Sequence, residues 1–189
     1  MMLEKIRRWL RFNLFYLGKP PWDTGVTPPE VLDFLAASQP GRALDMGCGT
    51  GTNLLTMAEH GWDVVGIDLA WLSVWRSRCK LREAGYVGRV INGTVTGDYH
   101  FEVPFDFVLD MGCYHGLTQA ERHIYRQKLT KRLKPGGAYM IYAHRKMTPG
   151  QAHGITGEDL AAFGESMTLV WREDSGEKRP DGGGGRPAT

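Results

Sequence analysis

The stretch LDMGCGTGTN, residues 44–53, constrains this chain more than any other part of it. It joins a short apolar run to a helical pattern through glycines at every second position, Gly47, Gly49 and Gly51. Such glycines let the backbone turn tightly and leave no Cβ between the chain and a ligand. The helix that begins near Thr52 points its amino end into the same space. The stretch therefore predicts a strand, a ligand-binding turn and a helix in succession.

The same alternation of apolar runs and helical patterns continues along the chain. Buried strands are predicted at residues 42–47, 63–69, 88–95, 105–112 and 136–143. Helices are predicted at residues 52–60, 72–84, 118–133 and 157–163. This order predicts an α/β fold, a Rossmann-like doubly wound and mostly parallel sheet with helices on both faces. Ligands of such sheets bind beyond the carboxyl ends of the strands.

Composition excludes several classes of protein. The chain has 189 residues, 42% of them hydrophobic, which suits one domain with a full core. A net charge of +2 argues against a general nucleic-acid binder. Three cysteines without CxxC spacing suggest neither a disulfide framework nor a metal site. No apolar run approaches the ~20 residues that span a bilayer, so a cytoplasmic protein is expected.

The glycine spacing separates the nucleotide ligands that such a turn can bind. A dinucleotide site would read GxGxxG, whereas here GxGxG follows Asp45, and the next strand ends in Asp68, whose carboxylate can accept two ribose hydroxyls. The pattern Asp45-x-Gly47-x-Gly49-x-Gly51 resembles motif I of the class I S-adenosylmethionine-dependent methyltransferases. The segments RLKPGGAYMIY and FDFVLD are similar to a helix-turn-strand and to the fourth strand of that family.

The resemblance implies that S-adenosylmethionine is the cofactor and that the acid and glycine loop hold its methionine part. Chains of the family commonly carry Gly-Asp after the third strand, near the adenine. Here Thr94 and the Val95 amide are expected there, and Asp98 is either an alternative or a turn acid. Besides the three glycines, the residues expected to bind the cofactor are Trp22, Thr24, Asp45, Cys48, Asn53, Asp68, Leu69, Thr94, Val95, Asp110 and Met111.

The segment PPWDTG resembles the N-terminal segment of small methyltransferases akin to the thiopurine and tellurite-resistance methyltransferases. In that branch a Trp-containing segment closes over the cofactor, so Trp22 would wall the methionine side while Asp23 and Thr24 would offer polar contacts. The alternative is a proline-bracketed turn in which Asp23 and Thr24 bond to the backbone and Trp22 fills the core.

The stretch LDMGCYHGL, residues 109–117, resembles a form seen in the same branch. The resemblance implies that Asp110 and Met111 touch the cofactor and that Tyr114 and His115 face the acceptor. His115 could take a proton because the pKa of histidine lies near neutrality, although a histidine in such a turn is as often a capping or packing residue. Asp23 is the third candidate for a catalytic role.

A small acceptor is expected, with thiols or other chalcogen compounds as the leading class. The links between elements are short, which leaves no recognition domain for a polymer, and no NPPY-like tetrapeptide follows the fourth strand. One alternative is a small RNA methyltransferase whose basic N-terminus grips phosphates. Another is a non-catalytic S-adenosylmethionine-binding regulator or membrane-associated scaffold.

The two ends of the chain differ from its centre. On a helix, the N-terminal 19 residues would form an apolar stripe of Leu3, Ile6, Leu10, Leu14 and Leu17. That helix is either a lid whose stripe packs on the domain or a weak contact with an anionic membrane surface. Residues 20–40 would then be a cofactor-covering segment with a lead-in helix, 41–175 the core and 176–189 a flexible tail. The resemblance also implies a closing antiparallel hairpin, of which residues 166–174 would supply the first strand. The last strand is expected to be missing or rudimentary, because few apolar residues follow.

Overall fold

A parallel sheet forms the centre of the fold. The computed structural model describes residues 2–146, 151 and 153–174. Within these residues the strands are β1 (Arg42–Met46), β2 (Asp63–Asp68), β3 (Gly88–Asn92), β4 (Phe105–Met111) and β5 (Leu133–Tyr142). Their order in the sheet is β3-β2-β1-β4-β5, so β1 lies in the middle. The helices are α1 (Met2–Phe15), α2 (Pro29–Ala37), α3 (Thr52–Glu59), α4 (Trp71–Glu83), α5 (Gln119–Arg132) and α6 (Gly157–Gly164). The predicted α/β fold with a parallel sheet is confirmed.

The chain adds β2 and β3 on one side of β1, and then crosses back so that β4 pairs with the other side of β1. Asp45 of β1 is therefore in register with Gly66 of β2 and also with Leu109 of β4. A reversal of strand order of this kind opens a crevice at the carboxyl ends of the two central strands. The chain places its glycine loop at that point, directly after β1.

The core fills the space between the sheet and its helices with apolar side chains from both. Phe107 of β4 is fully buried and packs on Phe34 of α2, with 4.3 Å between ring centroids, and on Trp62, at 5.8 Å. Val31 and Leu35 of α2 lie in the same cluster. Because the central strands are covered on both faces, β1 and β4 are nearly continuous apolar runs, as parallel strands usually are.

Strand β3 ends at Asn92, earlier than the sequence pattern predicts, and the next residues form a turn. The Gly97 N–H donates to the Thr94 carbonyl at 2.8 Å. The guanidinium of the buried Arg132, at the end of α5, donates to the carbonyls of Val95 at 2.9 Å and Gly97 at 2.8 Å. One buried cation thus fixes the turn that follows β3.

The prediction of a strand at residues 166–174 is wrong. Helix α6 is followed by residues without regular secondary structure as far as Asp174, and no strand follows Tyr142 among the described residues. A strand is stabilised by a ladder with a neighbour, and the apolar run at 169–171 has none in this part of the chain. The chain divides into two units, residues 1–156 and 157–189. The tail predicted at 176–189 lies outside the described residues, as does any last strand within 182–189.

We expect Arg132→Met to lower the free energy of unfolding by about 2 to 4 kcal/mol. The variant removes two charge-assisted hydrogen bonds and leaves two carbonyls in the turn after β3 without their donor. Urea unfolding followed by circular dichroism measures the change. Lys131→Met, at the exposed neighbouring position, is the matched control. Equal stability of the two variants would contradict the role given to Arg132.

Candidate active site

The glycine loop continues β1 along the end of β2. The N–H groups of Gly47 and Cys48 donate to the Ile67 carbonyl at 2.8 and 3.1 Å, so the loop stays hydrogen-bonded to the neighbouring strand. Gly51 has φ +80 and caps α3, and a Cβ there would lie 2.3 Å from the Ser77 hydroxyl of α4. At Gly47, with φ +89, a Cβ would lie 2.9 Å from Cβ of Cys113. Only glycine fits these two positions.

Asp68 closes the loop from the end of β2. One carboxylate oxygen accepts the Gly49 N–H at 2.9 Å, and the other accepts the Ala70 N–H at 2.8 Å and the Ser73 hydroxyl at 2.7 Å. Burial raises the pKa of this carboxyl, and the three hydrogen bonds oppose that shift. A carboxylate offers about four acceptor positions, so one remains for a ribose hydroxyl. The expectation of two such hydroxyls requires Asp68 to give up a present partner.

Asp45 is a buried acid with unmet hydrogen-bonding capacity. Its side chain is fully buried in β1, and no donor among the described residues reaches either carboxylate oxygen. Burial, and after it the charges of Asp110 and Asp68, hold the pKa of Asp45 well above its ordinary value. A buried polar group without a partner is costly. A ligand that brings a positive charge and N–H donors, as the methionine part of S-adenosylmethionine does, fits this acid.

Asp110, at the end of β4, is occupied by the protein itself. It accepts the N–H groups of Cys113 at 2.6 Å and Tyr114 at 3.0 Å and the Tyr125 hydroxyl at 2.6 Å. Burial raises the pKa of Asp110 to about 6, and these hydrogen bonds oppose the shift. The structure therefore gives Asp110 the task of shaping the turn after β4. Its expected contact with the cofactor stays a prediction, as does that of the half-buried Met111.

Tyr114 does not face an acceptor, contrary to the expectation from the sequence. It is fully buried in a short 3₁₀ helix, its hydroxyl accepts Arg126 at 2.5 Å, and its ring packs edge-on against Tyr125 at 5.1 Å. A 3₁₀ turn sends successive side chains in different directions. In the sequence LDMGCYHGL, the turn thus sends Tyr114 into the core.

His115 lies half-buried beside the end of β5. Its ring centroid is 4.9 Å from that of His144, and its Nδ1 is buried with no hydrogen-bond partner among the described residues. Burial, and after it His144, His153 and Arg122, lower the pKa of His115 to about 4. The buried Arg122 donates to the His115 carbonyl at 2.9 Å and fixes the backbone here. The imidazole is therefore neutral at pH 7.

Tyr16 covers the glycine loop, a role that the sequence pattern did not predict. It is buried just after α1, and its hydroxyl lies 3.1 Å from the place of a Cβ at Gly49. Burial, and after it the charge of Asp68, raise the pKa of this hydroxyl. The signal in the sequence is the spacing of Arg8, Phe12 and Tyr16, which places them on one helical face beside the more obvious leucine stripe.

The PPWDTG segment combines features of a cofactor-covering segment and of a proline-bracketed turn. Trp22 is 48% exposed, donates to the Tyr16 hydroxyl at 3.2 Å and packs edge-on against Phe15, so it supports Tyr16. Asp23 accepts the Thr50 hydroxyl of the glycine loop at 2.8 Å and fastens the segment to that loop. Thr24 is exposed, and its hydroxyl bonds to the backbone of Val26, as the turn interpretation expects.

Helix α1 spans the same edge of the sheet. Arg8 forms a two-pronged ion pair with Glu121, in the first turn of α5. The Asn13 side chain accepts the N–H of Trp71 at 3.0 Å, at the start of α4. Both contacts lie near carboxyl ends of strands, since α4 follows β2 and α5 follows β4. The leucine stripe faces away from these contacts, so the expectation that the stripe packs on the domain is wrong.

The remaining predicted residues lie around the loop with different degrees of exposure. Cys48 is buried, and the Asn53 side-chain oxygen is buried without a partner among the described residues. The Leu69 carbonyl accepts the Asn92 amide at 3.0 Å, which holds the end of β3 beside Asp68. Thr94 is exposed and Val95 is buried. Asp98 is fully exposed and pairs with Lys128, which lowers the pKa of Asp98. Its alternative place beside the adenine stays a prediction.

Comparison with known families identifies the family of this chain. Residues 43–137, just over half of the chain, match the family model described as a methyltransferase domain. The chain is a class I S-adenosylmethionine-dependent methyltransferase. The family is one of enzymes, and S-adenosylmethionine is its cofactor. The matched residues begin in β1 and end in β5, and they include the glycine loop, Asp68 and the turn after β4.

Relatives of this methyltransferase are named for different acceptors. It is 34% identical over 64% of its length to probable thiol methyltransferase 2 of Arabidopsis thaliana, covering 54% of that protein. It is 32% identical over 58% of its length to ribosomal RNA small subunit methyltransferase C of Alcanivorax borkumensis, covering 34%. The chain thus spans only part of the relatives it matches.

Solved structures agree in fold. A chain described under the conversion of a disulfide bond into a thioacetal group during echinomycin biosynthesis superposes with a TM-score of 0.67 and 28% identity, over 72% of this methyltransferase and 60% of that chain. A TehB-like methyltransferase from Corynebacterium glutamicum has a TM-score of 0.60 and 20% identity, over 88% of this chain and 84% of that one. The second likeness, below 25% identity, concerns the fold alone.

We expect Asp68→Asn to weaken S-adenosylmethionine binding by about 1.5 to 3 kcal/mol. The amide carries no charge and, with one acceptor oxygen, cannot keep the present donors on both sides. Isothermal titration calorimetry measures the affinity. Asp63→Asn, at the opposite end of β2 where Asp63 pairs with Arg42, is the control and should bind normally. Unchanged affinity in a folded Asp68→Asn variant would refute the role of this acid.

We expect Gly49→Ala to lose cofactor affinity while Gly85→Ala keeps it. Both glycines have positive φ, +53 and +79, so both variants carry backbone strain of about 1 to 3 kcal/mol. Only at Gly49 does the new Cβ meet another residue, the Tyr16 hydroxyl. Tyr16→Phe combined with Gly49→Ala should recover part of the affinity. Equal cofactor affinity in the two alanine variants would show that Tyr16 does not cover the loop.

Proposed function

We propose that this methyltransferase acts on a small acceptor and that the acceptor is a thiol or another chalcogen compound. The observation that carries the proposal is the place of His115 in the turn after β4: its ring is half-buried 4.9 Å from that of His144, and its Nδ1 has no hydrogen-bond partner among the described residues. This burial, and after it the neighbouring His144, lower the pKa of His115 to about 4. A general base works best when its pKa lies near the working pH. Thiols have an ordinary pKa near 8.5 and are already partly ionised, so they need little help from a base. Nitrogen and oxygen acceptors need more.

The named relatives support the same class of acceptor. Probable thiol methyltransferase 2 carries sulfur in its name, and the echinomycin chain carries a thioacetal in its description. The ion pair of Arg8 with Glu121, together with the Asn13–Trp71 contact, holds α1 across the edge of the sheet. A small acceptor suits such a cover better than a polymer does.

The residues of this chain have separate tasks in the proposed reaction. Asp45 and the glycine loop bind and orient the cofactor, while Asp68 holds the loop and offers its remaining acceptor position to the ribose. When bound, S-adenosylmethionine supplies a methyl group on a good leaving group. Tyr16 excludes water from the loop, and the neutral His115 borders the acceptor. Asp23, being bonded to Thr50, fastens the cover and is not proposed as a base.

RNA is the second candidate acceptor, because a ribosomal RNA methyltransferase is among the relatives. The basic residues of α1 are the feature that would hold phosphates. Arg8 is already paired with Glu121, however, which leaves fewer cations for that purpose.

For the compartment, we propose the cytoplasm, since the cysteines Cys48, Cys79 and Cys113 are all free.

We expect the pure enzyme, given labelled S-adenosylmethionine and a panel of thiols, amines, phenols and total RNA, to label thiols. The rate should rise with pH toward the pKa of the thiol, with no step near neutrality from His115, because that imidazole stays neutral above about pH 4. His115→Asn should slow thiol methylation by less than about tenfold, whereas loss of a general base costs about 10²- to 10⁴-fold.

His123→Asn, on the exposed face of α5, is the matched control for the His115 variant. Labelling of RNA alone would move the enzyme to the second candidate. Labelling of amines alone, with a loss of several hundredfold in His115→Asn, would contradict the proposed acceptor class and make His115 the base.

A further inference from the structure

Helix α1 carries an apolar face that the described protein does not cover. Five exposed residues follow helical spacing, four of them in α1 and the fifth, Leu17, two residues beyond its end. Their exposed fractions are Leu3 75%, Ile6 47%, Leu10 47%, Leu14 63% and Leu17 70%. Single exposed leucines are ordinary on a protein surface, but a contiguous apolar patch marks an interaction site. We call these five residues the outer stripe. None of them takes part in the cofactor site.

The opposite face of α1 fixes the orientation of the outer stripe. Arg8 pairs with Glu121, Asn13 accepts the Trp71 N–H, and Tyr16 is buried over the glycine loop. A rotation of α1 that buried the outer stripe on the domain would break the two polar contacts and expose Tyr16. The stripe therefore faces away from the domain as part of the folded structure.

Exposed cations border the outer stripe. Arg7 and Arg11 lie one turn apart and line a shallow groove together with Leu10, Leu14 and Phe15. The first 19 residues contain five lysines and arginines against one acid, Glu4. A second copy of this chain is a poor occupant, because a twofold interface would place these like charges close to one another. An anionic surface complements them.

Exposed aromatic residues lie on α1 and on the neighbouring α4. Trp9 of α1 is 39% exposed. Trp71 and Trp75, one turn apart on the neighbouring α4, are 51% and 56% exposed. Tryptophan is enriched where protein meets the headgroup region of a bilayer, because its ring is apolar and its N–H is polar. RNA would use the cations and the aromatic rings but would leave the leucines of the outer stripe in water.

We propose that α1 docks this enzyme on an anionic lipid surface, with the outer stripe among the headgroups and upper acyl chains. Arg7 and Arg11 bind the lipid phosphates, and the inner face of α1 stays over the cofactor site. Helices of this kind lie about 5 to 10 Å deep in the interface and bind reversibly. This docking goes beyond the proposed function and does not depend on the acceptor.

Sedimentation with vesicles tests the docking on the full chain. The vesicles are phosphatidylcholine alone or phosphatidylcholine with about one third phosphatidylglycerol, whose negative charge attracts basic residues within a Debye length. We expect binding to the anionic vesicles only, and weaker binding at high salt. Leu10→Gln with Leu14→Gln, and Arg7→Gln with Arg11→Gln, should each lower the partition coefficient by about tenfold or more.

The control replaces two exposed apolar residues elsewhere, Val87→Gln with Ile124→Gln, and should bind vesicles like the wild type. Binding that the Leu10 and Leu14 changes leave intact would overturn the proposal, as would no binding of the wild type. A dimer in light scattering that these two changes dissociate would assign the stripe to a second copy. Vesicle binding does not require turnover, so failure to methylate thiols would leave this result standing.

Discussion

The geometry of the site depends on the hydrogen bonds that the Asp68 carboxylate accepts. It joins the glycine loop after β1 to the first turn of α4 through Gly49, Ala70 and Ser73. Asp68 also ends the strand that pairs with both β1 and β3. A single buried acid therefore sets the distance between the loop and the strand ends. Next to it, Asp45 keeps both oxygens without a protein donor, and this unmet capacity suits a cationic ligand.

The far side of the site depends on a second buried acid, Asp110. Unlike Asp45, it is hydrogen-bonded to donors of the protein itself. The carboxylate of Asp110 accepts hydrogen bonds from the turn after β4 and from the Tyr125 hydroxyl. The Tyr125 hydroxyl also contacts that of Tyr139 in β5. This network and Arg122 hold His115 in a half-buried place where its pKa is low. A weakly basic imidazole of this kind suits the proposed class of acceptor, which ionises by itself.

Helix α1 connects the chemistry of the site to the surface of the protein. Its inner face carries Arg8 and leads into Tyr16, which close the edge of the sheet, while its leucines point outward. A helix that was only a lid would bury its apolar residues. The placement of polar and aromatic side chains inside and leucines outside gives α1 two partners, the site and, as we propose, a lipid surface.

The sequence by itself determined the order of strands and helices, the parallel sheet, the position of the glycine loop and the family. These follow from local patterns: apolar runs of strand length that alternate with helical patterns, and glycines at the spacing of a ligand-binding turn. The sequence also identified the acids Asp45 and Asp68, because each ends a predicted strand or precedes the loop. It did not determine how these acids divide their hydrogen bonds.

Only the tertiary structure decided which side chains reach the site and which enter the core. Tyr114 and His115 are neighbours in the sequence, yet a 3₁₀ turn buries one and leaves the other beside β5. The hydrophobic pattern of α1 left open whether its leucines pack on the domain or face outward. With Arg8 paired to Glu121 and Tyr16 buried, they face outward. Residues 166–174 read as a strand, but a strand needs a partner, and pairing is a property of the whole fold. Local patterns fix which elements form, whereas contacts between residues far apart in the chain fix which way each element faces.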